Sequence, residues 1–207
     1  MSETGIRAAI EAERSDLGDV LAGLREADWD RPTLCAGWRV RETVAHITMA
    51  YRMSLPRFAL EMVKARGNFD RMADRVARRE AAEISAAEFL RCVRDNVTHP
   101  WKPPGGGYAG ALAHDIIHGL DITVGLGLDR QVPHEHLRIV LADQSPRSIA
   151  YFGVDLEGIE LRADDMDFGY GSGEPLTGHA QDLLLVQCGR KLPPGRLQGA
   201  AAHRFTA

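Results

Sequence analysis

Two histidines stand four residues apart in the apolar segment AHDIIHGLD, residues 113–121. Four residues make about one helical turn, so the imidazoles of His114 and His118 are expected on the same helix face. Such a pair can ligate one transition metal, because zinc–nitrogen bonds of about 2.0–2.1 Å fit this spacing. Pairs of this kind also arise by chance in helices. A surface accident and two ligands of a metal site are therefore the two alternatives.

A third ligand is needed from another helix, and His46 in RETVAHITMAYR meets that need. It lies between Val44 and Ile47, on the apolar side of a predicted helix. A single histidine on an apolar face is commonly a hydrogen-bonded core residue, and that interpretation stays open. Metal sites in bundle cores are nevertheless built from side chains on facing helices. We therefore predict a metal site formed by His46, His114 and His118.

The elements that would position these histidines are helices. Pro56 is expected to kink or divide the second helix, and Ser85 followed by Glu88 predicts a new helix start within the third. The segment HPWKPPGGGY, 99–108, predicts a loop before the fourth helix. Four long helices joined by loops predict a four-helix bundle. Apolar residues recur at helical spacing over roughly 3–25, 40–64, 69–98 and 108–125.

The pattern changes after the fourth helix. One further helix is predicted over 133–144, and the alternation of apolar and charged residues over 159–164 predicts a strand. The sequence GYGSG predicts a turn, and Thr177 is expected to cap a short apolar helix after it. The fold class predicted is mainly α. The predicted domains are a metal-binding helix bundle over 1–144 and a small α+β region over 145–207.

Composition limits the classes of function. The 207 residues are 44% hydrophobic and 26% charged, with a net charge of −4, and the basic residues of 71–80 are mixed with acidic ones. No nucleic-acid partner is expected, because phosphate contacts need clustered Lys and Arg. No apolar run approaches the roughly 18–20 residues that span a bilayer, and the N-terminus lacks a signal-peptide core. We expect no membrane association and a cytoplasmic location.

The cysteines do not suggest a disulfide framework. They are three in number, Cys35, Cys92 and Cys188, and none forms a CxxC pair. Cys92 and Cys188 lie in apolar-periodic segments and are interpreted as buried packing residues rather than nucleophiles.

Three segments resemble one known family. LCAGWRVRETVAHI (34–47) resembles the P-x-x-G-W-x-V-R-x-x-x-x-H segment of the mycothiol-dependent maleylpyruvate isomerase-like proteins, a branch of the DinB-like metal-binding bundles. HGLDITVGLG (118–127) is similar to the family's H-G-W-D segment. Residues 159–190 resemble its C-terminal region, with L-R-A-x-D, a G-S-G turn and a final G-R. The resemblance implies a DinB-like four-helix bundle with a small C-terminal α+β region.

The family's metal histidines fall on His46 and His118, and Trp38 and Arg41 match its first segment. Trp38 is interpreted as a packing anchor, with a substrate contact as the alternative. The isomerase branch places a Glu four residues before the last histidine, where this sequence has His114. Three histidines match the wider DinB-like pattern. Metal binding is therefore still implied, whereas the maleylpyruvate isomerase reaction is not implied specifically.

Carboxylates near the histidines are candidates to orient them, because a ligating imidazole usually donates its other N–H to a carboxylate or a carbonyl. Asp121 lies three residues after His118 and matches the family's Asp. We predict that Asp121 holds His118, with solvation on the helix surface as the alternative. Asp115 is expected to point away, to solvent or to the next helix.

The resemblance also implies a chemistry. Its co-substrate is mycothiol, the low-molecular-weight thiol of actinobacteria, and a divalent metal would activate that thiol for attack on a small-molecule electrophile. Zinc is the metal we favour, and nickel and iron also suit imidazole ligands. Isomerisation or S-transfer would result. Arg190 matches the Arg that ends the family's C-terminal segment and is predicted to hold a substrate carboxylate. Its alternative is a surface arginine at a helix C-terminus.

Two other functions stay open at this point. Metal-activated water would make the protein a hydrolase on the same bundle. The bundle could instead bind a metal without catalysis, because a fold does not fix a function. The oligomeric state is also open, a homodimer included.

Overall fold

The computed structural model describes residues 2–207 as helices with one small sheet, which confirms the predicted fold class. By compactness the chain divides into two units, Met1–Ile122 and Thr123–Ala207. The helices are α1 Glu3–Ala22, α2 Val40–Arg52, α3 Leu55–Lys64, α4 Phe69–Glu83, α5 Ala86–Asp95, α6 Gly107–Leu126, α7 His134–Asp143, α8 Pro146–Tyr151 and α9 Ala180–Gln187. The strands are β1 Ile159–Ala163, β2 Gly169–Gly171, β3 Glu174–Gly178 and β4 Leu197–Gln198, and 3₁₀ turns cover Glu26–Asp30 and Ala200–Phe205.

In the first unit, α1 begins where the Ser2 hydroxyl accepts a hydrogen bond from the Gly5 N–H. Its apolar residues Ile10, Leu17 and Leu21 recur along one face and are almost fully buried. This face packs against α5. The periodicity of the sequence therefore specifies both the helix and the side that enters the core.

Helix α2 carries His46 and lies against α4 and α5. The helix starts at Val40, because the Glu42 carboxylate accepts a hydrogen bond from the Arg39 backbone N–H at 2.8 Å. Val40 and Val44 are fully buried. The imidazole of His46 thus projects from a helix whose side chains are largely enclosed.

Two predicted helical regions divide, as Pro56 and Ser85 indicated. The second breaks at Met53 and Ser54, and Pro56 lies in the first turn of α3, where its missing N–H leaves no intrahelical bond unmade. The third breaks at Ile84, and Ser85 caps α5 in a capping box with Glu88. The break therefore precedes Pro56 rather than following it.

The second unit contains a four-stranded sheet in the order β2-β1-β3-β4. The strand predicted from alternation is confirmed as β1, which pairs antiparallel with β2 and parallel with β3. Two expectations here are wrong. The first three residues of GYGSG form β2, which leaves only Ser172 and Gly173 as the turn. Thr177 lies in β3, and His179 precedes α9.

The boundary after Ile122 separates two compact units and is not a test of domain organisation. The predicted domains 1–144 and 145–207 therefore stay a prediction. Within residues 2–207, no helix combines the length and the apolar character that crossing a membrane requires.

Candidate metal centre

The three predicted histidines lie together in the first unit. His46 projects from α2 and the other two from successive turns of α6. One nitrogen from each ring can be chosen so that all three lie within 4.8 Å of one another. The ring centroids are 4.8 to 5.2 Å apart. His46 is buried, whereas His114 and His118 keep 16% and 13% of their side chains exposed. The cluster is therefore enclosed but not sealed from solvent.

The donor set fits a transition metal. Three nitrogens bound at about 2.1 Å to a tetrahedral zinc ion would lie about 3.4 Å apart. The observed spread of up to 4.8 Å is close enough for small rotations of the rings to bring the nitrogens into range. His46, His114 and His118 are the candidates to hold such an ion, and they leave it at least one position without a protein ligand.

Asp121 lies where the prediction placed it, one turn beyond His118. Its Oδ2 is 3.0 Å from Nδ1 of His118, and its side chain is completely buried. An ionised carboxylate only accepts, so Nδ1 is the protonated nitrogen and Nε2 keeps its lone pair. The expected orientation of His118 follows from this contact.

The expectation that Asp115 would point away from the site is wrong. Asp115 is 2% exposed, and its Oδ1 lies 3.1 Å from Nδ1 of the adjacent His114. Its Oδ2 accepts a hydrogen bond from Arg14 Nε on α1 at 2.7 Å. Each α6 histidine therefore has its own buried carboxylate, and in each the Nε2 atom remains for a ligand.

Trp38 combines packing with contact to the cluster. Its indole N–H donates to Asp74 at 2.8 Å. The centroid of its ring lies 5.1 Å from that of His46 and 6.5 Å from that of His118. The loop that carries it is fixed to α6, because the Leu34 N–H donates to the Asp121 carbonyl. Trp38 is thus the packing anchor predicted, and it is also part of the wall around two of the histidines.

A second tryptophan, Trp101, was not predicted. Its ring centroid lies 5.1 Å from that of His114 in an edge-on arrangement. It stands in the proline- and glycine-rich loop before α6, a region without periodicity. Trp101 and Trp38 therefore contact different histidines, and both belong to loops rather than helices.

Arg14 was also missed, although the sequence carries a signal for it. Residues 10, 14, 17 and 21 follow the apolar stripe of α1, and a charged residue at one of these positions needs a buried partner.

Arg41, which matches the family's first segment, donates to Asp30 at 3.1 Å and pairs with Glu26. It accordingly lies in a network with acidic residues of the first unit.

Arg190 lies in the second unit, just after α9. Its Nη1 donates to the Cys188 carbonyl at 2.8 Å, and its guanidinium stands 5.9 Å from the centre of the Phe152 ring. The first contact is the one expected of an arginine at a helix C-terminus. Its predicted role toward a substrate carboxylate stays a prediction.

The three cysteines are unpaired by disulfides. Cys188 is buried as expected, whereas Cys92 is only partly buried. Burial raises the pKa of the Cys92 thiol, so a thiolate is disfavoured there.

A mainly helical bundle with a small sheet is the DinB-like fold, and here three imidazoles gather within it. The family described as "Mycothiol maleylpyruvate isomerase N-terminal domain" matches residues 10–122. This is more than half of the chain, and the protein belongs to that family. The match contains His46, His114 and His118.

The overall fold is also found in solved structures. A crystal structure of the mycothiol-dependent maleylpyruvate isomerase matches with a TM-score of 0.63 and 13% identity, covering 98% of this chain and 94% of that one. A histidine-to-alanine mutant of that enzyme matches with a TM-score of 0.64 and the same identity and coverage. At this identity the likeness concerns the fold alone. No curated protein matches the sequence.

Proposed function

We propose that this protein is a metal-dependent enzyme that uses mycothiol as a nucleophile toward a small electrophilic substrate. The observation that carries the proposal is the convergence of three imidazoles, two of them held by buried carboxylates, in a member of this family. Perturbed or buried ionisable groups gathered around an accessible position are typical of functional sites.

The chain's own residues prepare the site. Asp115 and Asp121 accept hydrogen bonds from Nδ1 of His114 and His118, which fixes both rings and directs their Nε2 lone pairs away from those carboxylates. Three neutral imidazoles would leave a bound divalent cation its full charge, which stabilises the thiolate form of a thiol at its open position. Trp38 packs beside the rings of His46 and His118, and Trp101 packs beside the ring of His114.

The thiol would come from the co-substrate. Cys188 is buried, and the raised pKa of Cys92 keeps that thiol protonated. The mycothiol thiolate would add to an activated carbon–carbon double bond of the electrophile. Elimination of the same thiolate after bond rotation gives isomerisation, and protonation of the adduct gives S-transfer. Because His114 stands where the isomerase branch has Glu, we propose S-transfer as the principal reaction.

Hydrolysis by metal-activated water is less well supported. A general base would be needed near the cluster, and the two carboxylates there, Asp115 and Asp121, already accept hydrogen bonds from imidazoles. Asp115 is additionally paired with Arg14. Neither is placed to take a proton from water.

The proposal is tested by metal analysis and a thiol assay. Protein purified without chelator should contain close to one divalent metal, most often zinc, per chain, and His114→Ala should contain much less. His134→Ala is the matched control, because His134 is half-exposed and lies outside the cluster. Metal-free wild type that takes up no zinc on titration would refute the proposal.

The assay supplies mycothiol with either maleylpyruvate or a generic electrophile such as an activated alkene. We expect wild type to consume thiol with the generic electrophile and His114→Ala to lose that activity. Efficient isomerisation of maleylpyruvate without any thiol consumption would show the isomerase instead. Zinc binding without either activity would leave a metal-binding protein that is not an enzyme.

A further inference from the structure

Arg14 is one of the most completely buried side chains of the first unit. It is 1% exposed and lies on the apolar stripe of α1, between Ile10 and Leu17. Its guanidinium stands 5.1 Å from the centre of the Tyr51 ring. Burying a charge is costly unless its hydrogen bonds are satisfied. The arrangement of its partners therefore shows what the residue does.

One side of the guanidinium faces the histidine cluster. Nε donates to Asp115 Oδ2 at 2.7 Å, and the other oxygen of that carboxylate lies 3.1 Å from Nδ1 of His114. The three groups form one continuous chain from α1 to α6. A rotation of the Asp115 carboxylate that broke the contact to His114 would also break its bond to Arg14.

The other side faces the loop before α6. Nη1 donates to the His99 carbonyl at 2.7 Å and to the Val97 carbonyl at 3.3 Å. Two residues further on, the Trp101 N–H donates to His99 Nδ1, and the Trp101 ring lies against His114. The same guanidinium thus fixes the carboxylate that holds His114 and the loop that covers it.

We infer that Arg14 is a positioning residue for the His114 corner of the metal site, acting through Asp115 and through the 97–101 loop. This inference rests on the proposed metal function. A purely structural tie between α1 and α6 is the alternative. The positioning role is favoured because both sets of contacts lead to His114, one through the Asp115 carboxylate and the other through the loop that carries Trp101.

Lysine would not replace this residue. A guanidinium presents donors in a fixed plane, so one group can serve Asp115 and the loop carbonyls in different directions. An ammonium of the same charge is a point donor on a flexible stem. Arg14→Lys should keep a cation near Asp115 and lose the fixed direction of both sets of bonds.

The experiment measures zinc affinity by competition with a chromophoric chelator, for wild type, Arg14→Met and Arg14→Lys. We expect Arg14→Met to bind zinc about tenfold more weakly, as loss of groups that orient metal ligands typically does. Arg14→Lys should fall between wild type and Arg14→Met. If circular dichroism shows that Arg14→Met does not fold, the comparison of Arg14→Lys with wild type tests the inference instead.

The matched control is Arg196→Met. Arg196 Nη1 donates to the buried carboxylate of Asp182 at 2.8 Å in the second unit, which carries none of the three histidines, and its loss also leaves a buried acid. Its zinc affinity should equal that of wild type even if its melting temperature falls. A drop equal to that of Arg14→Met would mean that destabilisation alone explains the effect, and would overturn the inference.

A second background separates positioning from stability. If Arg14 acts through His114, then Arg14→Met should change metal affinity in wild type but not in His114→Ala. Copper(II), which imidazole sites bind more tightly than zinc, is used for both backgrounds so that the two-histidine site stays measurable. Equal losses in both backgrounds, or no loss in either, would overturn the inference. Wild type that binds no metal would instead refute the proposed function, and this inference with it.

Discussion

His114 and His118 lie one turn apart on α6, and their carboxylates approach them in different ways. Asp115 is the next residue along the chain from His114 and is paired with a cation, whereas Asp121 lies a turn beyond His118. Both carboxylates are at most 2% exposed. Water therefore cannot easily replace either hydrogen bond, and each ring is held in one tautomer.

Removing the carboxylate of Asp121 should weaken metal binding. We expect Asp121→Ala to reduce zinc affinity about 10–100-fold, because the His118 ring loses the acceptor that orients it. Asp121→Asn should lose less, since its amide oxygen can still accept from Nδ1. Competition titration with a chelator measures both. The exposed Asp143→Ala serves as control, and an Asp121→Ala protein with wild-type affinity would contradict the prediction.

Spacing within one helix was enough to predict His114, His118 and Asp121 as neighbours. It was not enough for Asp115, whose side chain was expected to lie elsewhere on the helix. Its direction depends on Arg14, which is 101 residues away in sequence. The position of such a partner follows from the packing of α1 and cannot be read from a local pattern.

At the scale of elements, helix starts follow the chemistry of their first residues. Ser85 accepts a hydrogen bond from the Glu88 N–H, and the Glu88 carboxylate accepts from the Ser85 N–H at 3.0 Å. The Ser85 hydroxyl also donates to the Glu88 carboxylate at 2.6 Å, and this bond, together with the one from the Ser85 N–H, lowers the pKa of Glu88. The start of α5 is thus fixed by two residues that the sequence identifies directly.

Ser85→Ala should lower the free energy of unfolding by about 1 kcal/mol, the typical effect of losing an N-cap side chain. Glu88 adds a pH dependence. Because its folded pKa is lowered, its contribution is complete above its unfolded pKa of about 4.3 and is lost as pH falls through the lower folded value. Urea unfolding at several pH values measures the free energy of unfolding and its pH dependence.

Ser172→Ala is the control, because Ser172 is exposed and outside any helix, and it should change the free energy of unfolding little. A Ser85→Ala effect that grows as the solution is acidified would contradict the assignment.

The sheet was less predictable than the helices. Alternation predicts β1 correctly, whereas the local sequence favours a helix cap at Thr177, which lies in β3. Strand β3 exists because it pairs with β1, and pairing between separate segments leaves no local periodicity in a five-residue strand. At Gly173, with a φ of 128°, a Cβ would lie 2.1 Å from the Gly158 carbonyl oxygen, so that turn requires glycine.

At the scale of the molecule, much of the core does not involve the histidines. In the first unit, Met49, Met72 and Val76 form a buried cluster with Ala65 and Ala73. Leu112, Leu120 and Phe89 are fully buried as well. This apolar burial should sustain the fold without a metal, in contrast to a zinc finger, whose fold depends on its ion.

Removal of the metal should therefore lower the melting temperature without unfolding the protein. A ligand that binds only the folded state raises its stability, so the metal-bound protein should melt higher. Circular dichroism with and without a chelator measures the helical signal and the melting temperature. The chelator should have little effect on His114→Ala. Wholesale loss of helical signal in the metal-free protein would contradict the prediction and would make the site structural.

The pairing of Arg14 with Asp115 also bears on the order in which the chain assembles during synthesis. Asp115 leaves the ribosome 101 residues after Arg14. Until then α1 carries a cation on the very face that must enter the core, and burying it without its carboxylate is unfavourable. We therefore expect α1, although it is made before α6, to dock stably only once α6 supplies that carboxylate, and α6 also carries two of the three histidines.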